Sequence, residues 1–251
     1  MSKIYGGIDG CKGGWVFVYG KPDQKIDHII SKNLSEILEK IESKSIRTAM
    51  DMAIGLNRCS VRKCDIEASK ILGKRSSSVF QMPGNLAIER VVLPYFSNND
   101  YSKFHEFNKK HYHLCGRRIK LSTFCIMNKI FEVNREYRDK IQQLQKKGLL
   151  LEFHPELFFN NEHQDIEHQD ILPKKSKRGL KQRCNIIQKY LKKCNVSACI
   201  DDWRKGKCSD VQRDDIIDAA AGMILASRDH CKELRFAQDV SDNGLEISIR
   251  Y

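Results

Sequence analysis

Short apolar runs broken by glycine and charge fill the first fifty positions. Residues 3–9 form an apolar run that ends in an acid, Asp9, and a glycine-rich turn follows at 10–14. The stretch Trp15, Val16, Phe17, Val18, Tyr19 is strongly β-prone. A third strand is predicted near 25–30. Asn33 is then placed to cap an amphipathic helix in which Leu34, Ile37, Leu38 and Ile41 share one face. Residues 46–50 return to extended structure and end at Asp51.

Further on, 62–72 reads as a helix that stops at Gly73, and 75–80, followed by Pro83 and Gly84, reads as a loop. From 86 to 144 the pattern is mainly helical, with breaks near 94–100 and at Gly116. The apolar run 149–153 suits a buried central strand. Helices are predicted over 177–192 and 212–228, and a last strand over 245–249. A β-β-β-α-β opening, a meander followed by a helical crossover, is that of an α/β protein of the RNase H-like fold. The expected architecture is a mixed central sheet, three antiparallel strands and then parallel ones, flanked by helices. At 251 residues the chain reads as a single domain, with a mainly helical insertion at about 60–147.

Composition narrows the partners. Lys and Arg total 44 against 32 acids, a formal charge of +12, which favours a polyanion such as nucleic acid. Between Lys174 and Lys193 nine of twenty residues are basic and none is acidic. Such a run reads either as a nucleic-acid path or as a solvated helix face. The ten cysteines include no Cys-x-x-Cys, and the pairs Cys59/Cys64 and Cys194/Cys199 are a poor match to zinc spacing, so reduced, packed thiols are expected. His111, His113, His163 and His168 lie in polar stretches and read as solvated. No run approaches the ~18 apolar residues of a membrane span, and the N-terminus has no apolar leader. A cytoplasmic location without membrane attachment is expected.

The candidate chemistry lies in acids. Asp9 closes the first strand and Asp51 the fourth, while Asp214, Asp215 and Asp218 open the late helix. If those two strands are neighbours, Asp9 and Asp51 come side by side, and Asp218 can join them with either Asp214 or Asp215 from the helix. Gathered carboxylates repel unless a cation neutralises them. Mg²⁺ or Mn²⁺, hard ions that prefer oxygen ligands, are the expected cofactors. The plainer alternatives are a turn cap for Asp51 and helix-dipole partners for Asp214 and Asp215. Asp218, on an apolar helix, and Asp9, at the end of an apolar strand, fit those less well. At 152–156, Glu156 is a further candidate ligand and His154 a candidate base or phosphate contact; a strand-end hydrogen-bonded pair is the other reading. Alternation sends Glu152, His154 and Glu156 to one side if the chain stays extended past Pro155.

These motifs together resemble a known family. Ile8-Asp9-Gly10-Cys11-Lys12-Gly13-Gly14-Trp15 resembles the opening of the predicted RNase H-fold nucleases classed as domain of unknown function four-two-nine. Similar segments follow in order: Asp51-Met52-Ala53-Ile54-Gly55-Leu56, Gly73-Lys74-Arg75-Ser76-Ser77-Ser78, Leu121-Ser122-Thr123-Phe124, 152–156 and Asp214-Asp215-Ile216-Ile217-Asp218-Ala219. Asn57 and Asn128 depart from it, each standing where the pattern has proline. The resemblance implies a metal-dependent nuclease acting on DNA or RNA, with Asp9, Asp51, Asp215 and Asp218 as metal ligands. In that frame Lys12, Arg62, Arg75, Ser76, Ser77, Arg117, Arg118, Lys120, Lys177, Arg178 and Lys181 are candidate nucleic-acid contacts. Two other classes compete. One is a non-catalytic nucleic-acid-binding or interaction module on the same scaffold. The other is a phosphotransferase of the actin and sugar-kinase type, which needs two such domains.

Overall fold

The computed structural model describes residues 3–91, 101–167, 171–194, 196, 199–201 and 210–251. The predicted break near 94–100, His168 and Cys208 lie wholly or mostly outside them. The chain begins β1 (Tyr5–Cys11), β2 (Gly14–Gly20), β3 (Ile26–Ser31), α1 (Leu34–Ser43) and β4 (Arg47–Asp51). Helices α2 (Lys63–Leu72), α3 (Asn85–Arg90), α4 (Tyr101–Cys115), α5 (Leu121–Cys125), α6 (Met127–Phe131) and α7 (Arg138–Lys146) follow. Then come β5 (Leu150–Glu152), α8 (Pro155–Glu167), α9 (Lys177–Tyr190) and α10 (Arg213–Ala226). No helix among the described residues is long and apolar enough to cross a membrane.

The chain divides into two compact units. The first comprises Met1–Asp51, Lys146–Lys232 and Arg250–Tyr251. Its sheet is mixed, with strand order β3-β2-β1-β4-β5. β1, β2 and β3 pair antiparallel, whereas β1–β4 and β4–β5 are parallel. Period-two alternation sorts the side chains. Ile8, Phe17 and Met50 are neighbours on one face; Gly7, Val18 and Ala49 lie in register on the other. α1 buries Leu34, Ile37, Leu38 and Ile41 and packs against β2 and β3. Asn33 is at its N-cap position, but the side chain makes no capping bond.

α10 packs against β1, β2 and β4 and is covered in turn by α8 and α9. Every residue from Ile216 to Ala226 is buried, as expected of a helix with neighbours on all sides. Its approach to the sheet is at backbone distance. A Cβ on Gly7 would sit on the Ala219 carbonyl oxygen and the Met223 nitrogen, and one on Gly222 would come within 3.1 Å of the Ala49 carbonyl oxygen. Small residues at both places let helix and sheet touch.

The second unit comprises Met52–Gln145 and Glu233–Ile249, so it takes in most of the stretch read as a helical insertion together with a C-terminal segment. Three expectations change here. The stretch Gly73–Ser78 is a 3₁₀ helix rather than a loop. The predicted strand 245–249 is reduced to Ile249–Arg250, because the Glu246 backbone is taken by the Gln145 side chain, which bonds both its N–H and its C=O at 3.0 Å. His111 is fully buried rather than solvated: its Nε2 accepts from Gly84 N at 2.9 Å and its ring meets the Arg117 carbonyl at 2.6 Å. Burial lowers the pKa of His111 below the usual histidine value, and an accepting Nε2 agrees with a neutral ring. Asn57 spends its amide on Val61 O and Asp239 Oδ1.

The helix-to-strand contact gives a direct test. Gly7→Ala places a methyl against main-chain atoms that cannot rotate aside, so a loss of about 3 kcal/mol in urea unfolding is expected, the upper end of overpacking costs. A change within experimental error would mean α10 rides higher above β1.

Candidate metal centre

β1 and β4 are parallel neighbours in a register that pairs Asp9 with Asp51, so the two carboxylates leave the sheet on one face at the same level. That is the face on which α10 lies, and Asp218 enters from the helix. One carboxylate oxygen from each of Asp9, Asp51 and Asp218 falls within 4.8 Å of the others. Asp9 is 7% exposed and Asp218 not at all. Gly10 N donates to Asp9 Oδ1 at 2.7 Å. Asp218 Oδ2 accepts from Lys174 Nζ at 2.7 Å, whereas its buried Oδ1 has no hydrogen-bond partner among the described residues.

Electrostatics follow from this crowding. Burial, and then the charges of Asp51 and Asp218, hold Asp9 well above the usual carboxylate range. Burial and the Asp218 charge push Asp51 up to about 8. Asp218 is raised by burial too, with Lys174 opposing. For Lys174, burial alone would lower the pKa, but the carboxylates of Asp218 and Asp9 outweigh it and hold the ammonium above its ordinary value. One ammonium among three converging acids leaves them short of positive charge.

The donor set suits a hard divalent cation. Three converging carboxylate oxygens are ligands of the kind Mg²⁺ and Mn²⁺ take. A buried carboxylate oxygen left without a donor carries a desolvation cost that a cation would remove. Asp9, Asp51 and Asp218 would hold such an ion.

The other candidate ligands are placed differently. Asp215 Oδ2 accepts from Gln212 N at 2.8 Å and closes a capping box with it, so it is not among the three converging carboxylates. It stays near enough to feel them; burial and the Asp214 charge lift it to about 6. Asp214 lies 3.5 Å from Lys174 Nζ. Glu156 accepts from Arg183 Nη2 with both oxygens, at 2.9 and 3.0 Å, in a pair that excludes solvent. The chain does not stay extended past Pro155, because proline begins α8, a position that its fixed φ and missing N–H favour. Glu152, His154 and Glu156 therefore do not form one row; the register sets Glu152 beside Met50, one residue short of Asp51. His154 joins β5 to α8, and its carbonyl accepts from Phe158 N.

The candidate nucleic-acid contacts also divide. In the first unit Lys12, Lys177, Arg178 and Lys181 are exposed, and Lys12 lies 3.7 Å from Asp210. In the second unit, Ser76, Ser77, Arg118 and Lys120 are exposed and Arg75 half-buried. Arg62 is a correction: at 2% exposure it is locked on Asp65 and on the Gly55 carbonyl, out of reach of a phosphate in solvent. Arg117 is similarly committed, to the carbonyls of Cys59, Ser60 and Met82. Two residues that sequence reasoning left within a generic basic run, Lys174 and Arg183, turn inward to Asp218 and Glu156. Periodicity marked Arg183 on the Ile186 and Ile187 face of its helix; nothing local marked Lys174.

Two outcomes follow. An acid whose folded pKa is raised is a source of stability below its unfolded value, and that stability drains away as pH climbs to the folded value. Metal-free protein is therefore expected to lose thermal stability between about pH 4, near the 3.8 of a free aspartate, and the value of about 8 for Asp51. Added Mn²⁺ should restore it at pH 8; melting curves with chelator and with Mn²⁺ at both pH values measure this. Separately, Glu156→Ala strands the buried Arg183 charge and should cost about 3–5 kcal/mol in urea unfolding. The double variant Glu156→Ala/Arg183→Met should recover part of that loss.

No curated protein and no solved structure matches the chain. The family model described as "Protein of unknown function (DUF429)" matches residues 7–240, and the chain belongs to that family.

Proposed function

We propose that this chain is a metal-dependent nuclease that hydrolyses phosphodiester bonds of DNA or RNA on an RNase H-like scaffold. The observation that carries the reading is the convergence of Asp9, Asp51 and Asp218 with Asp218 Oδ1 buried and undonated. An RNase H-like scaffold accounts for the order of pairing, a three-strand antiparallel meander and then a helical crossover to β4 on the far side of β1. That topology brings the ends of β1 and β4 together, and helix α10 supplies the third acid.

A divalent cation held there supplies Lewis-acid stabilisation of the phosphoryl charge and a water acidified for attack. The chain's own residues do the rest. Asp9 and Asp51, fixed by strand pairing, set the position of their carboxylates to within the stiffness of the sheet. Asp218 is fixed by the helix. The start of α9 offers Lys177, Arg178 and Lys181 to solvent, and Lys177 is only three residues from Lys174, within about 10 Å along the chain. Lys177 and Arg178 are in the first turn of α9, which carries no acid. Basic charge there opposes the helix dipole, a local cost that a polyanion bound alongside would offset.

The test pairs binding with turnover. Wild type should bind Mn²⁺ in calorimetry and cut at least one member of a labelled panel of DNA and RNA substrates. The double variant Asp9→Asn/Asp218→Asn should lose metal binding and slow cleavage by about 100-fold or more, since several kcal/mol of charge stabilisation depart with the ion. A wild-type protein that neither binds the ion nor cuts any substrate would sink the proposal.

A further inference from the structure

A carboxylate that bridges two cations gives one oxygen to each, and paired catalytic ions sit roughly 3.5–4 Å apart. Asp218 is divided in just this way, but one of its partners is part of the chain. Its Oδ2 accepts from the Lys174 ammonium at 2.7 Å, while Oδ1, in a buried side chain, has no hydrogen-bond partner among the described residues. The ammonium also lies 3.5 Å from Asp214 Oδ2.

Lys174 does not reach the acids as a loose surface side chain. Its backbone is fixed on both sides. Leu172 N donates to Gln182 Oε1 and Leu172 O accepts from Arg183 Nη1. Pro173 O accepts from both Ser176 N at 3.0 Å and Ser176 Oγ at 2.8 Å. Ser176 then caps α9 by accepting from Gly179 N. Gly179 closes on this turn so tightly that a Cβ there would strike the Pro173 carbonyl oxygen. The arrangement aims one lysine at one oxygen of Asp218.

Resting on the metal-centre reading above, we propose that Lys174 occupies the second-cation position, so that the centre takes a single divalent ion, on the Asp218 Oδ1 side. Oδ1 is the Asp218 oxygen left without a donor, and the lysine is the resident positive charge on Oδ2. An ammonium has three donors and no lone pair. It neutralises charge and donates to the carboxylates of Asp218 and Asp214, but it does not acidify a water as a metal does. Lys174 is thus a positioning residue: it orients Asp218 and leaves one carboxylate oxygen for the ion.

The experiment counts ions. Mn²⁺ is titrated into the full chain by calorimetry, sites are counted as those lost in Asp218→Asn, and paired ions are detected by spin coupling in electron paramagnetic resonance. Wild type should take one ion with an uncoupled spectrum, and so should Lys174→Arg, which keeps the charge. Lys174→Met, checked for folding by circular dichroism, should take two, with the coupled spectrum of a close pair. Two coupled ions in wild type, or a single ion in folded Lys174→Met, would overturn the assignment and leave the metal centre standing. No Mn²⁺ in wild type or in either Lys174 variant would remove the metal centre itself and this assignment with it. The wild-type count decides even where Lys174→Met does not fold.

Discussion

α10 rests on β1 main chain to main chain, and the position of the third carboxylate depends on that contact. Gly7 and Gly222 carry no side chain to hold the two apart, and the Ala219 carbonyl lies directly over Gly7. Asp218 is one residue before Ala219, and Asp9 is two residues after Gly7 on the same face of its strand. Close packing in one place therefore fixes carboxylate separation in the other. A bulkier pair of contact residues would lift the helix and pull the acids apart by the same displacement, because interiors are packed too densely to absorb it.

Bringing acids so close in a dry site is unfavourable by itself. Desolvation raises all three pKa values, and the charge of a neighbouring carboxylate adds to each, that neighbour being Glu156 for Asp218. The fold answers with cations from a single stretch of chain. Lys174, before α9, neutralises Asp218, and Arg183, within α9, neutralises Glu156. The same helix turns Lys177, Arg178 and Lys181 outward. One basic segment thus divides in two: inward charges balance buried acids, and outward charges stay in solvent.

Much of the sheet was legible in the sequence because strands and amphipathic helices announce themselves through period and β-propensity. β1 to β4 and α1 appear close to where the apolar pattern puts them; Asp51 ends its strand as read, whereas β1 runs two residues past Asp9 to Cys11. Gln212 to Arg228 reads as a helix because alanine and apolar residues fill it, which matches Arg213–Ala226 closely. α8 went unread because the strand 149–153 ends just before Pro155, and a proline after a strand signals a stop as readily as a helix start. The strand expected at 245–249 failed because a side chain, Gln145, competes for the Glu246 backbone from a hundred residues away.

The sequence by itself determined which acids are available and on which elements they ride, since strand ends and helix faces are properties of local pattern. Tertiary structure decided which of them meet. Parallel pairing of β1 with β4 sets Asp9 opposite Asp51, and the seating of α10 selects Asp218 while the capping box takes Asp215. Likewise composition announced a basic segment, but only packing separated Lys174 and Arg183 from the exposed lysines around them. The physical reason is the same throughout: a charge has its energy set by neighbours within a few ångströms, and those neighbours come from distant parts of the chain.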